Sequence, residues 1–303
     1  MGDPGTTEHF ALPRYAYIFV MKQTGVDEWE VWRREERALA AQDWKRTRYY
    51  GLNATRGDSI YKYEGDIYYL LNNDAPTGRV FAICSYRKLE FSRSLASIDD
   101  MDDLLGLKFE TAPDSIQEDL QNIYSTPYNY EREGRYYCSF DCSSGHRYNL
   151  DLLLYHVASK VDIKWNVADT VRIKPDPSQA VRLTYMQARY LFNEPAYCFK
   201  PMENVTANLP STGATRQLVR PEDEGLWWEG RAYFYTIPYT VSGSPYYFPL
   251  QMVLRTNNSS EDYRPTLNLR IDTSSPFVPW LRADFNLSKP LGDNEVVKTV
   301  ENS

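Results

Sequence analysis

Three stretches of this chain alternate apolar and polar residues: Val161-Asp-Ile-Lys-Trp-Asn-Val167, Thr266-Leu-Asn-Leu-Arg-Ile-Asp272 and Leu281-Arg-Ala-Asp-Phe-Asn-Leu287. Successive side chains of a strand point to opposite faces, so each stretch predicts a strand with one buried and one wet face. Parallel sheets bury both faces, so half-wet strands place these segments in antiparallel sheets, sandwiches or barrels. Tyr15-Ala-Tyr-Ile-Phe-Val-Met21 is apolar on both faces and predicts an interior strand.

The remaining pattern fills in around these. Glu28 to Trp44 is charged and Ala/Leu-containing and reads as partly helical. Ile60 to Leu71 and Arg79 to Tyr86 read as a strand pair across the turn-rich Asn72-Asn-Asp-Ala-Pro-Thr-Gly78. Residues 92–126 read as an insertion of short helices and loops. Ser97 to Leu105 resembles a helix start, and Ser115-Ile-Gln-Glu118 has capping-box spacing. Arg135 to Asp141, Leu150 to Ala158 and Val181 to Phe192 return to strand, with a turn at Pro175-Asp-Pro177. After a stretch rich in Pro, Gly, Thr and acidic residues, four more strands follow between short turn-rich links, the pattern of a small antiparallel sandwich.

Length allows two domains of ordinary size, since the chain has 303 residues. The divisions predicted are a tail over 1–14, a first β-sandwich domain over 15–205 with its insertion near 92–126, a linker over 206–224 and a second β-sandwich domain over 225–303. The fold class is therefore all-β with minor helical insertions. A hydrophobic fraction of 42% supports a packed core rather than disorder. A formal charge of −7 argues against nucleic-acid phosphates as partners. No apolar run approaches the ~20 residues of a membrane-spanning helix.

Candidate chemistry is sparse. Cys84, Cys138, Cys142 and Cys198 lack a second Cys-x-x-x-Cys pair or a histidine at ligand spacing, so no metal site is read. Of the three histidines, His9 lies in the tail, His156 in an apolar run, and His146 after the turn Ser143-Ser-Gly145. Neither HExxH, a Walker loop, GxSxG nor GxGxxG occurs. Asp99-Asp-Met-Asp-Asp103 lacks the glycine and terminal glutamate of a calcium loop and suits a helix start. The expectation is a protein without catalytic residues or cofactor. Two rivals remain: a glycan-binding β-sandwich using Trp227, Trp228, Tyr246 and Tyr247, and a glycoside hydrolase built on a carboxylate pair.

Gly78-Arg-Val-Phe-Ala-Ile-Cys-Ser85, then Tyr148-Asn-Leu to Ala158-Ser-Lys-Val-Asp-Ile-Lys-Trp165, then Val181 to Phe199, resembles the N-terminal domain of Bacteroidales fimbrillins, the Mfa-like or type V pilin family. The run from Gly230-Arg-Ala-Tyr-Phe-Tyr to Leu287 resembles their C-terminal domain. The resemblance implies two tandem transthyretin-like sandwiches, export, a place on the outer surface, and other fimbrial subunits as partners. Outer-membrane attachment in this family runs through a lipid-bearing cysteine, and no cysteine precedes Cys84 here. Polymerising members are cleaved near an arginine, for which Arg14 is the equivalent. Assembly by strand addition would then engage Tyr15, Tyr17 and Phe19, or Leu281, Ala283, Phe285 and Leu287. The short polar peptide before Arg14 fits an anchor or accessory subunit better than a shaft subunit. Host or bacterial surface glycans and proteins complete the expected partners. Asp58-Ser-Ile60, Asp114-Ser-Ile116 and Asp169-Thr-Val171 match the family's O-glycosylation pattern.

Overall fold

The computed structural model describes residues 11–49, 58–66, 77–110, 122–126, 131–132, 135–136, 139–141, 150, 152, 154–167, 180–191, 195–200, 202–205, 214–236, 239–241, 248–256, 262–264, 266–269, 281–282, 296–297 and 300–301. It is an all-β protein built mostly of antiparallel sheets, with parallel pairs between Met202–Val205 and Tyr239–Val241 and between Thr266–Leu269 and Val296–Val297, and very little helix among the described residues.

Among the described residues, the first half of the chain contributes ten strands. They are β1 (Tyr15–Gln23), β2 (Trp29–Ala38), β3 (Lys45–Tyr49), β4 (Asp58–Lys62), β5 (Thr77–Ser85), β6 (Ile123–Ser125), β7 (Glu131–Arg132), β8 (Arg135–Tyr136), β9 (Ser139–Asp141) and β10 (Tyr155–His156). Six of these form one sheet in the order β10-β6-β5-β1-β2, with β9 also on β5. The interior position predicted for Tyr15–Met21 is observed, because β1 lies between β2 and β5. Its double-sided apolar pattern has a packing reason. Tyr17, Phe19 and Met21 enter the main core, while Ala16 and Val20 enter two smaller clusters on the opposite face, with Leu39 and Cys84 in one and Val80 and Phe140 in the other.

Two expectations need correction here. Glu28 to Trp44 is not partly α-helical: it forms β2 and then a single 3-10 turn at Ala41–Asp43. The turn at 24–28, with Asp27 at φ 59 and Thr24 N–H donating to Glu28 O at 2.9 Å, folds the chain straight back onto β1. The ladder from Tyr15↔Ala38 to Gln23↔Trp29 then outweighs the helix propensity of Arg and Glu, and an edge position tolerates their charges. The second correction concerns pairing. β4 pairs with β3, and β5 pairs with β1, β6 and β9, so the described part of the first segment is not a partner of the second, while residues 67–71 lie outside the described residues. β5 is buried along most of its length and belongs at the sheet centre, where the short, partly polar β4 would not fit.

The predicted helix start within 92–126 is present. Asp100 caps the short helix α1 (Met101–Leu105) by accepting from Asp103 N–H at 2.8 Å. The capping-box segment 115–118 lies outside the described residues. Ile98, Leu104 and Leu107 bury themselves in the main core.

The second half contributes β11 (Ser159–Asn166), β12 (Val181–Leu191), β13 (Met202–Val205), β14 (Ala214–Val219), β15 (Glu229–Thr236), β16 (Tyr239–Val241), β17 (Phe248–Thr256), β18 (Asp262–Tyr263), β19 (Thr266–Leu269), β20 (Leu281–Arg282), β21 (Val296–Val297) and β22 (Val300–Glu301). The alternation read in Val161–Val167 is observed. Ile163 is buried, Val161 and Trp165 are half-buried, and Asp162, Lys164 and Asn166 are exposed. β11 pairs with β15 over eight residues, and Arg231 on β15 forms a bidentate ion pair with Asp162. The other large sheet runs β14-β12-β17-β19-β21. β11 and β12 therefore form their ladders with 214–219, which lies within the stretch 206–224, and with 229–236 and 248–256 beyond it.

Among the described residues, no strand ladder joins residues 15–156 to residues 159–301. Contact between the two halves comes from elsewhere. Phe109 N–H donates to Ala196 O at 3.0 Å and Cys198 N–H to Leu107 O at 2.9 Å. Phe199 then packs edge-on against Phe19 and Phe81. Leu183, Met186, Phe234 and Met252 of the second half share one contiguous core with Phe19 and Phe81 of the first.

Candidate binding face

The residues singled out from sequence fall in different places. Arg14 is exposed, but its backbone is pinned on both sides. Its N–H donates to Ser85 O at 2.8 Å, and its carbonyl accepts from Leu39 N–H at 2.7 Å. Its guanidinium lies 4.6 Å over the Tyr86 ring. Tyr17 and Phe19 are each 1% exposed, and Tyr15 is half-buried, on a strand paired along both edges. Leu281 lies on β20, antiparallel to β22, through the pair Leu281↔Glu301. Ala283, Phe285, Leu287, Tyr246 and Tyr247 lie outside the described residues, as do Cys138, Cys142, His9 and His146.

Trp227 and Trp228 link the sheets through their carbonyls. Leu183 N–H donates to Trp227 O at 3.1 Å and Val167 N–H to Trp228 O at 2.6 Å. Both indoles are half-buried, and the Arg182 guanidinium covers the Trp227 ring at 4.2 Å. One face of Trp227 is thus already stacked on a cation. His156 is exposed, with its ring 4.5 Å from that of Tyr124.

Three sheet edges matter for partners. β2 carries Arg33, Arg34, Glu35, Glu36 and Arg37, and charge along an edge discourages strand pairing. Those charges are tied down, Arg33 to Glu35 at 2.5 Å and Lys88 to Glu36 at 3.0 Å. The 98–100 segment covers the start of the same edge, where Val31 N–H donates to Asp99 O at 2.8 Å. β14 is the edge of the second large sheet on one side. On the other side lies β21, which among the described residues pairs parallel to β19 through Asn268↔Val296 and Leu269↔Val297.

The outer face of β12 and β17 carries a polar groove that sequence reading did not single out. Leu183, Met186 and Ala188 of β12 and Leu250 and Met252 of β17 point into the core. That parity turns Tyr185, Gln187 and Arg189, with Gln251, Val253 and Arg255, to the other face. A register shift between Leu183 and Tyr185 leaves Thr184 as the extra residue, and its hydroxyl donates to Val253 O at 3.3 Å. The groove has a volume of about 430 Å³, and its lining includes Tyr185, Gln187, Pro221, Gln251, Arg255 and Arg264.

A hydrogen-bond chain orders this face. Tyr185 Oη donates to Gln187 Oε1 at 2.5 Å, and Gln187 Nε2 donates to Gln251 Oε1 at 2.8 Å. Arg189 Nη1 donates to the same Gln251 oxygen at 3.3 Å. Part of the sequence signal was present, since Tyr185-Met-Gln-Ala-Arg189 alternates polar with apolar residues, whereas Gln251-Met-Val-Leu-Arg255 has three apolar residues between its polar ends. Their cross-strand register and the extra residue at Thr184 were not readable.

The shifted titratable groups have local causes. Burial pushes the Cys84 thiol up to about 12 and the Cys198 thiol well above its ordinary value. Burial likewise raises Tyr17, whose hydroxyl accepts from Leu89 N–H at 2.8 Å. Asp103 is held low by the Asp99 N–H and by Arg93. Among the described residues, no three His, Cys, Asp or Glu side chains gather as a metal site, and no helix is long and apolar enough to cross a membrane.

No protein-family model matches the chain, and no curated protein matches it. Solved structures similar to it are each described as a "putative cell adhesion protein". That of Bacteroides eggerthii has a TM-score of 0.42 and 10% identity, covering 88% of this chain and 75% of its own. That of Parabacteroides distasonis has a TM-score of 0.40 and 13% identity, covering 89% and 78%. That of Bacteroides fragilis has a TM-score of 0.33 and 7% identity, covering 90% and 85%.

Proposed function

We propose that this chain is a non-enzymatic cell-surface adhesion protein, a fimbrial subunit of anchor or accessory type that joins its neighbours by strand addition. The observation that carries this reading is the edge at β19. There the segment at 296–297 adds as a parallel strand through two residue pairs, at the rim of an otherwise antiparallel sheet. Those two described pairs hold few backbone hydrogen bonds, each contributing a net ~0.5–1.5 kcal/mol. An incoming strand of ordinary length, ~5–6 residues, would pair more of the edge and displace it. The reading places the protein at the outer membrane among other fimbrial subunits.

A fluorescent peptide with the sequence of residues 290–303, titrated into the full chain, tests this. Saturable uptake is expected, and a Val297→Pro peptide should lose it because proline removes a ladder donor. Absence of uptake, together with failure of the native protein to fractionate with the outer membrane, would set the reading aside.

A further inference from the structure

We propose that the groove on the outer face of β12 and β17 is a binding site for an acidic saccharide, a sugar unit carrying a carboxylate. The inference stands apart from the strand-addition reading, since it concerns a sheet face and not an edge.

The argument starts from which atoms the groove leaves available. Gln251 Oε1 accepts from both Gln187 and Arg189, which orients the amide so that its Nε2 points away from them. Among the described residues that Nε2 has no hydrogen-bond partner, so two N–H donors face the groove. Arg255 and Arg264, both exposed, add guanidinium donors at the rim. Each guanidinium has five N–H groups in a planar fork, so an existing partner leaves others for a ligand carboxylate. Among the described residues, the lining contains no Asp or Glu. In a chain of net charge −7, this is a local concentration of donors and positive charge that favours an anionic, acceptor-rich ligand.

Size and topology then choose the ligand class. A cavity of about 430 Å³ lies in the small-molecule range and suits one or two sugar rings. The half-buried Tyr185 ring offers an apolar platform, and its hydroxyl is already oriented by Gln187. Both strands beneath the groove are paired on each side, β12 with β14 and β17, and β17 with β12 and β19. Their main-chain groups are therefore consumed by ladders, and an extended peptide cannot dock there by adding a strand. Recognition must run through side chains, which suits a compact polyol.

The test is calorimetric titration of the full chain with digalacturonate and with sialyllactose, using lactose as the neutral control and tetraglutamate as the acidic peptide control. At least one acidic saccharide is expected to bind with a Kd of about 10 µM to 1 mM, with lactose and tetraglutamate weaker by at least about tenfold. Arg264→Ala removes an exposed side chain and should leave the thermal unfolding curve unchanged while weakening saccharide binding by about tenfold or more. Gln251→Ala should weaken it in the same direction. The proposal is overturned if neither acidic saccharide binds, if lactose or tetraglutamate binds equally well, or if Arg264→Ala binds like the parent.

Discussion

Phe199 is the residue through which the two halves of the chain most directly share a core, and truncating it gives a measurable test of that coupling. The ring is 4% exposed. It meets Phe81 at 5.5 Å between centroids with planes at 70°, and Phe19 at 6.1 Å with planes at 88°. Phe199→Ala removes the transfer free energy of a buried aromatic, ~1.5–3 kcal/mol, and two edge-to-face contacts of ~0.5–1.5 kcal/mol each. It also leaves a cavity that the first sheet can only partly close, so the total expected loss is ~3–5 kcal/mol. Against a typical stability of ~5–15 kcal/mol, the variant should still fold but be clearly weakened. The assay is urea unfolding read by tryptophan fluorescence and far-UV circular dichroism. With a slope near ~3 kcal/mol per molar, the midpoint should fall by ~1–1.7 M. A cycle with Phe81→Ala isolates the contact, and a coupling of ~0.5–3 kcal/mol is expected. A midpoint loss below ~0.5 M, or strict additivity of the two substitutions, would refute the shared core.

Three further outcomes follow from local geometry. Gly230→Ala would set a Cβ 2.3 Å from Trp165 Cζ2, on an indole already fixed by its bond to Leu226 O at 2.8 Å. It should cost ~1–3 kcal/mol and lower the Tm, and an unchanged Tm would sink the reasoning. Burial raises the Cys84 thiol from 9.0 to about 12, so its neutral form is favoured in the folded state. Its contribution is whole below the ordinary thiol value and declines as pH climbs toward about 12. Cys84→Ala should flatten that alkaline decline in Tm, whereas parallel curves for parent and variant would exclude it. Arg14 is accessible only by its side chain, because its N–H and carbonyl are both bonded. Trypsin should therefore cut after Arg14 only once the strand opens, more slowly than after the exposed Arg87; equal native-state rates by mass spectrometry would contradict this.

What was legible in the sequence was parity. The two-faced apolar run of Tyr15–Met21 and the strict alternation of Val161–Val167 were readable because burial imposes their pattern directly. What escaped was partnership. The charge-rich β2 looked helical since Arg and Glu are good helix formers, and only its antiparallel ladder to β1 decides otherwise. The separation of β4 from β5 has the same cause: adjacency in sequence does not reveal which strand fills the sheet centre. The polar groove shows the same limit. Tyr185, Gln187 and Gln251 are ordinary alternating polar residues until the register of β12 on β17 brings them together.

The passage between halves bears on how such a protein would carry load. The chain leaves the first sheet at His156 and enters β11 at Ser159, so the connection is Val157-Ala158. Both residues are 6% exposed, and Val157 N–H donates to Ile123 O at 3.2 Å. A turn-rich composition announces a loop, but this junction is apolar because it runs through the core. The second tie, residues 196–199, returns from the far half and bonds to residues 107–109 of the first. Pulling the halves apart must therefore break core packing and backbone hydrogen bonds together, rather than straighten a free linker. A force applied at the β19 edge would pass into β17 and β12, and from there through the shared core and the Phe199 contact to β1 and β5. By contrast, the described pairing of β21 is made to β19 and lies outside the contacts that join the two halves.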